Sequence, residues 1–105
     1  MLKLVALWSP PKPADRAAFE AEYLGAHAPL ARALPGLSRL ETILIGAGLE
    51  GAPAEFHRIA VMVWPDEAAY ESDQQTPEWT ALRANAGEMI ERFGVSLTSS
   101  IGQDG

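Results

Sequence analysis

Two segments of this chain are apolar at both strand parities. In residues 2–8, Leu2, Leu4, Ala6 and Trp8 oppose Lys3, Val5 and Leu7. In residues 55–64, Ala60, Met62 and Trp64 oppose Ile59, Val61 and Val63. A strand sends alternate side chains to opposite faces, so strands of this kind ask for cover on both sides of their sheet. Both runs are too short for a buried helix, and Ser9-Pro10-Pro11 cuts the first one off.

The remaining elements fall between and around these two. Phe19, Tyr23, Ala26, Leu30 and Leu34 recur at three- and four-residue spacing and mark one helical stripe, with Asp15 placed to cap it or favour its dipole. Pro29 interrupts that helix. It lacks a backbone donor and disfavours helical geometry at Ala28, so a kink or break is expected near His27-Ala28, with Pro29 opening a second short helical segment and Pro35-Gly36 as the stop. Residues 37–46 read as a strand, with Leu40, Thr42 and Leu44 on one face. Gly46 to Pro53 forms a flexible hairpin loop. Asp66 caps a short helix through Tyr70. Thr76-Pro77-Glu78 then opens a longer one whose stripe is Trp79, Leu82, Ala86, Met89, Ile90 and Phe93, ending at Gly94. Residues 95–101 alternate as a last strand, and 102–105 are expected to be a mobile tail.

The order is strand, helix, strand, strand, helix, strand. This is the ferredoxin-like βαββαβ pattern, an α+β fold with an antiparallel sheet, in one domain spanning 1–105. Both crossover helices normally cover one sheet face and leave the other to water. Here that second face is apolar, and monomers seldom expose more than a few hundred Å² of such surface. A homodimer paired through the sheet face is the expected cover. Burying ~800 Å² on each partner at ~25 cal/mol per Å² gives tens of kcal/mol before association costs.

Charge and composition narrow the partners. The net charge is −6, with 14 acidic against 8 basic residues. Such a chain does not attract phosphate backbones, so no nucleic acid is expected. Cysteine is absent, which removes disulfides, thiolate metal sites and thiol nucleophiles and is compatible with a cytoplasmic setting. No segment approaches the ~20 apolar residues of a membrane span, and the opening apolar run is strand-length with no cleavage site after it.

Few residues can carry chemistry. His27 follows Tyr23 by four positions, so the two can meet on one helix flank, the imidazole as general base and the phenol as orienting acid. The competing reading makes His27 a partner for backbone groups freed at Pro29, and Tyr23 a core residue with its hydroxyl at the rim. His57 reads as a surface or edge residue. Arg39, Glu41 and Arg58 read as solvated strand-edge charges. Trp8 and Trp64 end strands, where they could line a ligand pocket or pack as core. Two histidines without cysteines or a carboxylate cluster predict no metal site, and no cofactor is called for. Gly46, Gly48 and Gly51 lack the Lys-Ser/Thr of a phosphate loop, and Ser99-Ser100 lacks a nucleophile elbow.

The stretch Phe19-Glu20-Ala21-Glu22-Tyr23-Leu24-Gly25-Ala26-His27-Ala28-Pro29-Leu30, followed by Leu34-Pro35-Gly36-Leu37, resembles the signature of EthD-type proteins of the dimeric α+β-barrel superfamily. Gln75-Thr76-Pro77-Glu78-Trp79 is similar to the usual opening of the second helix. The resemblance covers about residues 2–100. It implies the same fold and a homodimer. Across the superfamily it points to cofactor-independent monooxygenases, polyketide cyclases, dehydratases and haem-degrading enzymes, so activity is not fixed. In related cyclases a histidine and a tyrosine in the barrel act on small aromatic or polyketide-like compounds, which would suit His27 and Tyr23. The expectation is a small-molecule enzyme. The alternatives are a non-catalytic ligand-binding or accessory protein and, third, a haem-handling protein using His27 or His57.

Overall fold

The computed structural model describes all residues, Met1–Gly105. Four strands, β1 (Leu2–Trp8), β2 (Arg39–Leu44), β3 (Arg58–Trp64) and β4 (Leu97–Gln103), form one antiparallel sheet in the order β2-β3-β1-β4. This is the ferredoxin-like α+β arrangement, and the two strands apolar on both parities are its two central strands. The register aligns Leu4 with Met62 and Ala6 with Ala60, so even-numbered positions of β1 and β3 share one face. That face carries the core, packed against Ala31 and Leu82 from the helices and Leu34 just past α2.

The first crossover is a helical run in three pieces: α1 (Arg16–Glu22), a π turn over Tyr23–His27, and α2 (Ala28–Arg32). The second holds α3 (Glu67–Asp73) and α4 (Pro77–Phe93). Their caps follow the expected chemistry. Asp66 accepts from the Ala69 N–H at 2.8 Å, Thr76 accepts from the Trp79 N–H at 3.2 Å, and Gly94 closes α4 at φ 63°. Asp15 differs: it sits at the N-cap of α1, but its side chain accepts no capping hydrogen bond, because a 3₁₀ turn over Pro13–Asp15 already leads the chain in.

Pro29 stands in the first turn of α2, the second segment expected there, and the junction before it is a π turn and not a break. The Ala28 N–H bonds the Tyr23 carbonyl, five residues back, and the widened turn absorbs the register error that proline imposes. The tail is also more ordered than expected. Gly102 and Gln103 pair with Lys3 and Leu2, and Asp104 meets the Lys3 ammonium at 2.9 Å. No helix is long and apolar enough to cross a membrane.

Candidate functional site

The cavity exists because small residues face one another beneath the helices. Ala6 and Ala60 are cross-strand partners at the middle of the sheet. Ala28, Ala31 and Ala86 look down on the same region from α2 and α4, and all five line a space of about 410 Å³. That volume is within the ~300–1,000 Å³ usual for small-molecule sites. Met62, Trp79 and Leu82 give it a mostly apolar wall, and no Asp or Glu lines it. His27 and Tyr23 both do.

Two residues, one from each of α1 and α4, set the state of His27. Glu22 can only accept hydrogen bonds, and it takes one from Asn85 Nδ2 at 3.0 Å. The amide orientation of buried Asn85 follows, with Oδ1 turned to His27 Nδ1 at 2.9 Å. A carbonyl oxygen there requires a proton on Nδ1. The imidazole thus holds its proton on the side away from Nε2, and Nε2 is left as an unprotonated acceptor with no partner in the chain. Burial lowers the His27 pKa below its ordinary value, only partly opposed by the Asn85 hydrogen bond, so the ring is neutral at neutral pH.

Tyr23 is fully buried and stacked on His27, with ring centroids 5.6 Å apart. The π turn lets residues four apart lie one above the other. The Tyr23 hydroxyl is sealed and has no hydrogen-bond partner, an expensive state for a buried donor. Burial pushes its pKa up to about 12, so it stays a phenol. The wall therefore holds a neutral imidazole stacked on a neutral phenol ring.

A second polar cluster props up Tyr23 from outside the cavity. His57 and Arg58 are both buried, which corrects their reading as surface and strand-edge residues. His57 Nε2 lies 3.0 Å from Glu20 Oε2, and the Arg58 guanidinium bonds both oxygens of the same carboxylate. Desolvation is tolerated here because the charges are paired and bidentate. Arg58 also covers the Tyr23 ring at 4.9 Å. With Nε2 engaged and the ring enclosed, His57 offers nothing to a haem iron. Arg39 and Glu41 remain exposed and pair with each other at 3.4 Å.

Of the two readings for Trp8 and Trp64, ligand pocket or core, the structure has the core. Trp8 and Trp64 are fully buried and do not line the cavity, whereas Trp79 does. Trp8 packs edge-on against Phe19, Tyr23 and His27, with the His27 ring 5.1 Å away. Trp64 donates from Nε1 to buried Asp73 at 2.8 Å, and the same carboxylate takes the Gly36 N–H at 2.9 Å. His27 makes no bond to the backbone around Pro29, and the kink is relieved by the π turn alone. No group of three His, Asp or Glu side chains is placed to hold a metal ion.

The EthD domain family model matches residues 11–92. An EthD family protein from Bacillus halodurans C-125 is 30% identical over 100% of this chain and 99% of its own, with a TM-score of 0.86. SnoaB, a cofactor-independent oxygenase from Streptomyces nogalater, shares the fold at 16% identity, covering 98% of this chain and 91% of its own, with a TM-score of 0.68. A dimeric ferredoxin-like protein of unknown function from Thermobifida fusca YX does so at 17% identity, covering 98% and 90%, with a TM-score of 0.67. No curated protein matches the chain.

Proposed function

This chain belongs to the EthD family, and on that premise we propose that it is a cofactor-independent enzyme of small-molecule metabolism that acts on a hydrophobic or aromatic compound, with His27 as general base. The observation that carries this reading is the Glu22–Asn85–His27 chain, which holds a neutral imidazole with its Nε2 lone pair free beside an apolar cavity. Nε2 would take a proton from an acidic C–H or O–H of the substrate. The Tyr23 ring, stacked on the imidazole, would orient it. The role of base follows from the lowered pKa of His27. The fold shared with SnoaB, described as a cofactor-independent oxygenase, is compatible with chemistry run by side chains.

Nitrogen-15 NMR of the imidazoles tests the assignment without a known substrate. His27 should appear as the Nδ1–H tautomer and titrate below pH 6.5, and Asn85→Leu should scramble the tautomer. A His27 that carries its proton on Nε2, or titrates above that value, removes the base. Turnover is then sought across small aromatic and polyketide-like compounds, with His27→Ala as the control. If compounds bind in the cavity and none reacts, the protein is a ligand-binding accessory module.

The same reading includes a homodimer. On the sheet face away from the helices, Leu7, Ile59 and Ile43 align in one row and Val5 with Val61 in the next. Ile43 is 44% exposed in the single chain. A second copy laid on this face would cover both rows. The dimeric description of the Thermobifida fusca protein supports the idea by analogy, and a chain without cysteine fits a cytoplasmic setting.

A further inference from the structure

Arg83 is the one charged side chain in the cavity wall, and it has no partner. It makes no ion pair and no hydrogen bond, whereas Lys3, Arg39, Arg58 and Arg92 each lie within 4.0 Å of an acid. Lys12, Arg16 and Arg32 also have no acidic partner, but none of them lines the cavity, so Arg83 alone offers it a cation. It stands one turn along α4 from Trp79, also in the wall, and is exposed, so water solvates it while the cavity is empty.

We propose that the cavity is selective for an oxygen-centred anion: its ligand is a flat apolar acid whose carboxylate pairs with Arg83 while its rings lie against Trp79, Leu82 and Met62. This rests on the cavity being the ligand site and adds the charge of the ligand. A guanidinium meets a carboxylate through two parallel N–H donors, a geometry that a neutral amide or alcohol cannot match. Tyr70 adds a second donor at the same end. Its oxygen accepts from Gln74 Nε2 at 3.3 Å, which leaves its own proton free, and both residues line the cavity. Arg83 bears electrostatically on Tyr70 and His27 alike, and the field of its charge helps keep His27 unprotonated. An acid seated this way lies between the anion-binding group and the free Nε2.

The test is calorimetric titration of the purified protein with naphthoate and with naphthamide, its neutral isostere. Naphthoate should bind about tenfold tighter, the scale of one charge-assisted pair. Arg83→Gln should bring naphthoate down to the level of naphthamide and leave naphthamide unchanged. Ala60→Leu, which fills the cavity floor, should abolish both. Equal affinities in the natural protein, or an Arg83→Gln variant that weakens both compounds alike, overturn the anion preference and leave the cavity reading standing. If neither compound binds, or if Ala60→Leu binds both as before, the cavity is not the ligand site and both readings fall together.

Discussion

Burial moves His27 and Tyr23 in opposite directions, the imidazole down and the phenol up, and each is thereby kept neutral. For His27 the consequence reaches stability. Its folded pKa lies below the unfolded value of 6.5, so between the two the unfolded chain binds more protons. Stability from this residue is complete above pH 6.5 and is lost as pH falls toward the folded pKa. Urea midpoints taken between pH 7.5 and 5 should therefore decline, and the decline should flatten in His27→Gln. Glu20 acts in a lower window: Arg58, as its main hydrogen-bond partner, holds its pKa below 4.5, so its contribution is lost only in stronger acid. Arg58→Met leaves the Glu20 carboxylate with His57 as its remaining partner. Removing one partner of a buried pair costs ~3–5 kcal/mol, and the partial water access of Glu20 places the loss near the lower end. Chemical denaturation measures it, and a loss below about 1 kcal/mol would show that the pair is not structural.

At the scale of elements, two glycines separate backbone need from helix propensity. The Pro35-Gly36 stop is a packing requirement as well as a turn signal. A Cβ on Gly36 would lie 2.9 Å from Asp73 Oδ1 and 3.2 Å from the Ala69 carbonyl, inside the clasp that also holds Trp64. Gly36→Ala should cost about 1–3 kcal/mol by overpacking and should lower the thermal midpoint. Gly87 sits within α4, and a Cβ there would meet nothing within 4 Å. Gly87→Ala should stabilise by about 1 kcal/mol, from helix propensity alone. Pro29 was legible as an interruption from its missing N–H. The form of the interruption was not, because a π turn and a break both satisfy the local chain, and packing of Tyr23 and Ala28 into the core selects between them.

For the whole molecule, the uncovered sheet face is the feature with the largest consequence. Ile59 lies at its centre, flanked by Leu7 and Ile43. Ile59→Lys should convert a sedimenting dimer into a monomer that keeps the native circular dichroism spectrum, since Ile59 packs away from the helical core. A natural protein that sediments as a monomer at micromolar concentration would remove the dimer from the proposal. The fold and the apolar outer face of the sheet were legible because they depend on periodicity, and β1 and β3 carry theirs in the order of residues.

The sequence by itself determined the element order, the antiparallel α+β architecture, the helix caps at Asp66 and Thr76 and the pairing of Tyr23 with His27 on one flank. All of these follow from interactions within a few residues or from a repeat of two or four. Tertiary structure alone decided the rest. Asn85 is 58 residues from His27 in the chain, and only the packing of α4 against the π turn brings them together. The polar Asn85 on an otherwise apolar stripe was the one visible hint. Glu20 meets His57 and Arg58 across 37 and 38 residues, and burial there turned two apparent surface residues into a support for Tyr23. Trp64 went to Asp73 while Trp79 went to the cavity, because the place of a large side chain is set by the volume its neighbours leave. The cavity is the clearest case: five alanines read as unremarkable one at a time, and become a binding space only where the fold sets them face to face.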